Sequence, residues 1–283
     1  MIKKTILFSC VLLWISCNNT ATDKSSISES SKDSAKKNST TQPENELADF
    51  KFHTLVINIP SPFEIISLLP ESGAPFKQDL VNSTNNVANY TTTTKKGLNY
   101  GSYIVDLVYL SSNEHFSDVK NYFTTARSLA QSLGFVETFD HIVGPSRIES
   151  NLDKKDTINK IIDQIYVEMD SYLRSNDRLL AATQILVGSW IESQYITVSV
   201  IKSETKTKKN EILFQKVLKQ NFTSQKLVEL LKEYEKEKDF KPFIDGVKEL
   251  DKLYSGLHGD DIDTATLQKL FTKLSEVRGK MVN

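Results

Sequence analysis

The chain has 283 residues, with 35 Lys and Arg against 36 Asp and Glu and a formal net charge of −1 at pH 7. That balance provides no basic face of the kind nucleic-acid binding requires, so no nucleic acid is expected as a partner. The two cysteines, Cys10 and Cys17, both lie near the N-terminus. The rest of the chain can form no disulfide and must be held together by packing.

The N-terminus has the pattern of a leader. Lys3 and Lys4 precede an apolar run from Thr5 to Ile15. The run is too short to span a bilayer, which takes about 20 residues, and fits a secretory signal covering residues 1–16. A conventional cut before Cys17 would put bulky Trp14 where a small residue is wanted. Lipoprotein processing instead asks for a small residue directly before a cysteine, and Ser16-Cys17 meets that requirement. The stretch resembles a lipobox, with Trp14 standing where leucine is usual. Cys17 is therefore the expected lipidation site, and Cys10 leaves with the leader. A single acyl chain anchors marginally, at about 0.8 kcal/mol per buried methylene, so two or three chains on one cysteine make a durable attachment to a membrane. Asn18 is not the aspartate of an inner-membrane retention signal, so the expected location is the outer membrane.

Residues 17–49 are rich in Ser, Thr, Asn, Lys and Glu, with Ile27 and Leu47 as the large aliphatic side chains of the stretch after the cysteine. Such a segment cannot bury enough apolar surface to offset its ordering entropy, so a disordered linker is expected. As a flexible coil of ~30 residues it reaches about 30 Å. Asp33-Ser34-Ala35 looks like a short O-glycosylation acceptor, a match that ordinary linker composition also explains.

Residues 50–204 read as a main helical domain and 205–283 as a C-terminal helical segment, with the polar stretch Thr205 to Asn210 at the boundary. Ser61-Pro62-Phe63-Glu64 is a helix start, with Ser at the cap, Pro at the first position and Glu at the third. Pro70 and Ser72-Gly73-Ala74-Pro75 end that helix. Thr54 to Ile59 alternates and is β-branched, and reads as an extended lead-in. From His115 to Gly134, Val119, Tyr122, Phe123, Ala126, Leu129 and Leu133 recur at helical spacing, and Gly134 occupies a C-terminal cap position. The same period runs through Ile158, Ile161, Ile162, Ile165, Met169 and Leu173. Tyr195 to Ile201 has β propensity, but it continues the rhythm of Leu186, Val187, Trp190 and Ile191 and reads as helix. Leu227, Leu230, Leu231 and Tyr234 mark a further helix, and Asp239-Phe240-Lys241-Pro242 starts another. Leu267, Leu270, Phe271, Leu274 and Val277 follow a cap at Asp263 or Thr264. The expected fold is all-α, an antiparallel bundle of hairpins joined by short connections. The hairpin from Asn99 to Gly134 is tetratricopeptide-like, although no strict period repeats.

Several blocks also match something known. Ser61-Pro62-Phe63-Glu64, Leu68-Leu69-Pro70-Glu71-Ser72-Gly73-Ala74, Lys96-Gly97-Leu98-Asn99-Tyr100-Gly101-Ser102-Tyr103 with Asp106-Leu107, and Gly188-Ser189-Trp190-Ile191-Glu192-Ser193 resemble a family of uncharacterised lipoproteins from Bacteroidota. The resemblance covers roughly residues 55 to 200. It implies a lipid-anchored location and a helical fold, and it implies no activity.

Candidate chemistry is sparse. Asp106 lies between Tyr103 and Tyr109 on an apolar helix, and Glu192 lies near Trp190 and Tyr195 on another. A carboxylate on a buried helix needs a partner, and Lys95, Lys96 and Asn99 are candidates to supply one. A pocket of Asp106, Glu192, Tyr103 and Trp190 would take a cation or a small polar ligand; the competing reading is a satisfied polar tie between helices. His53, His115, His141 and His258 have no metal-ligand spacing. His258-Gly259-Asp260-Asp261-Ile262-Asp263 lacks the EF-hand alternation and reads as a loop before a helix cap. No phosphate loop, nucleophile elbow or Cys-His pair is present, so no catalytic residue, metal or cofactor is expected. The leading functional expectation is a non-enzymatic envelope lipoprotein whose helical body engages an envelope protein partner. A ligand- or cation-binding protein ranks second, and a carboxylate-pair hydrolase last.

Overall fold

The computed structural model describes residues 54–56, 59–259 and 261–283. The leader, Cys17, the linker to residue 49 and His53 lie outside the described residues. Among the described residues there are helices, turns and loops and no strand, as the 3.6-residue apolar period predicts. None of these helices is long and apolar enough to cross a membrane.

The helices, in chain order, are α1 (Pro62–Ser67), α2 (Thr93–Ser112), α3 (Phe116–Ser132), α4 (Val136–Val143), α5 (Pro145–Glu149), α6 (Lys155–Ser175), α7 (Leu179–Ile201), α8 (Glu211–Leu218), α9 (Gln220–Leu231), α10 (Lys241–Ser255) and α11 (Thr264–Val282). Two short 3₁₀ turns, Gln78–Leu80 and Thr84–Asn89, lie between α1 and α2.

Local signals set most of the ends. At α1 the Ser61 hydroxyl accepts from the Phe63 N–H at 3.3 Å, and Pro62 opens the helix. Glu64 does not close the box back onto Ser61; its carboxylate takes the Lys216 ammonium at 2.5 Å. Gly134 (φ 76°) ends α3 in the left-handed region. Its own N–H bonds the Gln131 carbonyl, and the Phe135 N–H reaches the Ala130 carbonyl at 2.9 Å, which satisfies two carbonyls the helix leaves unpaired. Glu114 (φ 62°) and Asp177 (φ 55°) end α2 and α6 with the same bond pattern and without the glycine. Asp263 caps α11, its carboxylate accepting from the Thr266 N–H at 2.7 Å. Before α10, Phe240 offers no side-chain cap, and Pro242 in the first turn marks the start.

Two helices form the centre. Nearly every residue of α2 and α7 is buried, the signature of a helix surrounded by protein. Burial on all sides is also why the β-branched stretch from Tyr195 to Ile201 stays helical, since packing overrides a propensity difference of less than ~1 kcal/mol per residue. By contrast, Thr54 to Val56 take a helical turn and not the extended form their alternation suggests; residues 57–58 lie outside the described residues.

Glycine lets α2 and α7 meet backbone to backbone. A Cβ on Gly101 would stand 2.2 Å from the Ile185 carbonyl oxygen, and one on Gly188 would stand 1.9 Å from that of Leu98. Both are far inside van der Waals contact. The Ser189 hydroxyl donates across this crossing to the Gly101 carbonyl at 3.2 Å, and the Gln184 amide donates to Thr94 at 3.0 Å.

The other helices cover this pair with one apolar stripe each. The α6 stripe of Ile158, Ile161, Ile162, Ile165, Met169 and Leu173 is buried, each side chain contributing about 1.5–3 kcal/mol. The hairpin of α2 and α3 turns through Asn113, Glu114 and His115 as the short connection predicts. The C-terminal helices share the same core: α11 packs on α7 and on α10, where Gly246 admits the Val277 side chain.

Candidate functional site

Asn99, Tyr103 and Asp106 follow one another at four and three residues on α2, so they share a face. The segment before α2 lies along that face. The Asn82 backbone N–H donates to Asp106 Oδ2 at 3.1 Å, and its side-chain amide donates to the Tyr90 hydroxyl at 2.9 Å and to Asn99 Oδ1 at 3.1 Å. The Tyr103 hydroxyl donates to the Ser83 carbonyl at 2.7 Å. Asn99 spends its amide on the Met281 carbonyl of α11 at 2.7 Å and on the Lys95 carbonyl at 2.9 Å.

Glu192 enters from α7 and Arg278 from α11. The guanidinium grips the carboxylate with two bonds, Nε to Oε2 and Nη2 to Oε1, each 2.7 Å. Arg278 Nη2 also donates to the Leu80 carbonyl at 2.9 Å. Its carbon centre stands 4.2 Å from the ring centroid of Tyr195, one turn after Glu192 on α7. Asp106 and Glu192 are both fully buried. One arginine therefore joins α7, α11 and the strap before α2.

Two buried carboxylates face a single guanidinium, and the charge balance decides their protonation. Burial pushes the Asp106 pKa well above the usual carboxylate range, and the neighbouring Glu192 charge adds to the push; Arg278 and the Asn82 N–H pull less strongly the other way. Burial works against the Arg278 charge, but the charge and hydrogen bonds of Glu192 outweigh it and the guanidinium holds its proton more firmly than usual. The low-cost arrangement is a neutral Asp106 beside a Glu192–Arg278 ion pair. The geometry is in keeping with this: the Asn82 N–H donates to Asp106 Oδ2, and Oδ1 has no hydrogen-bond partner, which leaves a buried ionised carboxylate poorly satisfied. Burial, followed by the Tyr90 hydroxyl, likewise raises the pKa of Tyr103, which stays a neutral donor.

The structure thus brings Asp106, Glu192 and Tyr103 into one network. Trp190 is elsewhere. It is two residues from Glu192, which on a helix points it to another side; its indole N–H donates to Gln220 Oε1 at 2.9 Å and its ring packs edge-on to Tyr254. The charge partner is neither Lys95 nor Lys96. Lys95 Nζ bonds the Asn283 main-chain oxygen, and Asn99 reaches Asp106 only through Asn82. Arg278 and Asn82 carry the network without having been marked by the sequence reading. Arg278 was detectable in principle, because it follows Leu274 by four residues and precedes Met281 by three, on a stripe that is otherwise apolar. A cation there must find an anion inside.

This arrangement is a tie between helices. Each Glu192 oxygen is occupied by an Arg278 N–H, so a ligand or cation entering between Asp106 and Glu192 must displace the guanidinium or the Asp106 proton. Among the described residues no group of three His, Cys, Asp or Glu side chains is placed to hold a metal. The His258 loop leads into the Asp263 cap, with Gly259 at φ 82° and Asp261 3.5 Å from Lys206. Comparison of the chain with protein-family models, curated proteins and solved structures finds no match.

Proposed function

We propose that this protein is a lipid-anchored protein of the cell envelope, placed at the outer membrane, whose helical body is a non-enzymatic scaffold for a protein partner. In this reading Cys17 carries the acyl chains and residues 17–49 hold the body off the membrane. The supporting observation is that the acidic pair the sequence offers for chemistry is spent internally, on joining α2, α7 and α11. A carboxylate held by a two-bonded arginine at 2.7 Å makes a poor base and presents no open side to a substrate. The leader pattern and the resemblance to envelope lipoproteins of Bacteroidota support the location.

Two measurements test the reading. The intact mass of the mature protein, purified from envelopes, is expected to show acylation at Cys17 and loss of residues 1–16. A soluble, unacylated product removes the anchor. For the scaffold, a photo-crosslinking residue is placed at exposed apolar positions, Phe222 on α9 and Ile212 on α8. A discrete heterologous adduct in living cells is expected; adducts absent from both positions in correctly localised protein count against a partner at these helices.

A further inference from the structure

Where the start of α1 meets α7 and the α8–α9 junction there is a crevice of about 80 Å³. Ser61, Glu64, Ser193, Lys216 and Gln220 contribute polar groups to its walls, and each is engaged within the chain. The Ser61 hydroxyl accepts from the Phe63 N–H, and Glu64 holds the Lys216 ammonium at 2.5 Å. The Ser193 hydroxyl donates to the Trp190 carbonyl at 3.0 Å. The Gln220 amide accepts from the Trp190 indole N–H at 2.9 Å and donates to the Lys216 carbonyl at 3.3 Å.

Three lining groups are left over, and all three can donate. Gln194 of α7 and Thr223 of α9 are 1% and 2% exposed. The Gln194 oxygen accepts from the Tyr254 hydroxyl at 3.0 Å. Burial raises the Tyr254 pKa, so that hydroxyl keeps its proton as the donor. This leaves the Gln194 NH₂ without an acceptor among the described residues, and the Thr223 hydroxyl has no partner there either. Neither atom is among those the fold seals from solvent. Lys219, which also lines the crevice, is exposed and forms no ion pair among the described residues. Buried polar side chains nearly always have a partner. Two neutral donors and an ammonium around one small space suit an anionic acceptor, which strengthens each bond by its charge. The Glu64 charge does not oppose such a guest, because Lys216 already neutralises it.

Size and the apolar part of the wall narrow the class. A cavity of about 150 Å³ holds benzene, so a space about half as large takes a molecule of about four non-hydrogen atoms. Pro62, Ile65 and Trp190 complete the lining, and they suit a methyl group better than a fully hydrated inorganic ion. We propose that this crevice binds a small monocarboxylate whose oxygens accept from the Gln194 amide, the Thr223 hydroxyl and the Lys219 ammonium. The site is separate from the Asp106–Glu192 network and does not rest on the scaffold reading.

Trp190 reports on the crevice in the full chain. The two tryptophans are Trp14 and Trp190, and fluorotryptophan labelling makes each visible by fluorine NMR. Sodium acetate and acetamide, alike in shape and different in charge, are titrated separately at neutral pH and constant ionic strength. A saturable shift of the Trp190 signal with acetate is expected, with acetamide at least about tenfold weaker. Thr223→Val keeps the side-chain volume and should weaken acetate about tenfold. Lys219→Gln, at an exposed position where folding is not at stake, should weaken it about threefold. A Trp190 signal that acetate leaves still up to about 0.1 M overturns the site. Equal affinity for acetate and acetamide overturns the anionic ligand. An acetate response that both variants leave intact lies elsewhere on the protein and overturns the assignment of these donors.

Discussion

Replacing Asp106 by asparagine separates a buried proton from a buried charge. In the native chain Asp106 Oδ2 accepts from the Asn82 N–H at 3.1 Å, and the opposite oxygen has no donor. An asparagine amide is neutral, like the protonated acid, and its oxygen can keep the bond from the Asn82 N–H. The unfolded aspartate ionises near pH 4, whereas burial and Glu192 hold the folded one protonated to higher pH. Folding above pH 4 therefore takes up a proton. The stabilising contribution is fully present below the unfolded pKa and is lost as pH rises toward the folded one. The loss is about 1.4 kcal/mol per pH unit for one proton. The Asp106→Asn variant has no such slope. Urea unfolding followed by circular dichroism across pH 5 to 8 should show the variant gaining on the native protein by about that amount per unit while the folded carboxyl keeps its proton. Parallel curves, or a variant several kcal/mol weaker throughout, would show that Asp106 is an ionised partner and would refute the charge assignment.

Removing the guanidinium should be far costlier. Arg278→Met leaves Glu192 buried without its cation and is expected to destabilise by about 3–5 kcal/mol in chemical unfolding; combining it with Glu192→Leu should recover most of the loss, because an apolar pair carries no desolvation cost. At the α2–α7 crossing, Gly188→Ala forces a methyl to 1.9 Å from the Leu98 carbonyl oxygen, and a loss above about 3 kcal/mol, or failure to fold, is expected by the same assay. In the opposite direction, Glu114→Gly relieves a left-handed residue at φ 62° and should raise the melting temperature, the gain being about 1 kcal/mol; an unchanged melting temperature would mean that the Glu114 side chain contributes as much as its strain costs.

The helices were legible because their signals are local. Spacing of three and four marked α3, α6, α9 and α11, Asp263 announced a cap and Gly134 a stop, and each of these needs only neighbours within a turn or two. The reading failed where a position answers to distant chain. Thr54 to Val56 look extended on β propensity, and a turn of helix wins there. Trp190 was grouped with Glu192 because the two are close in sequence, yet two residues of helix put them on different sides. Lys95 and Lys96 were the obvious cations by proximity to Asp106, while the actual one lies 86 residues from the glutamate it binds.

What the sequence by itself determined is the all-helical class, the ends of several helices (the starts of α1, α10 and α11 and the stop of α3, but not the short helices α4, α5 and α8) and the lack of any cysteine after Cys17, since periodicity, capping and cysteine count are properties of short stretches. Only the tertiary structure decided that Asp106, Glu192 and Arg278 come together as one buried group, and that Gly101 and Gly188 hold two backbones in contact. The physical reason is that burial, charge pairing and close approach depend on which helix faces meet. Those faces are chosen by the summed packing of the whole core, which no single stretch encodes.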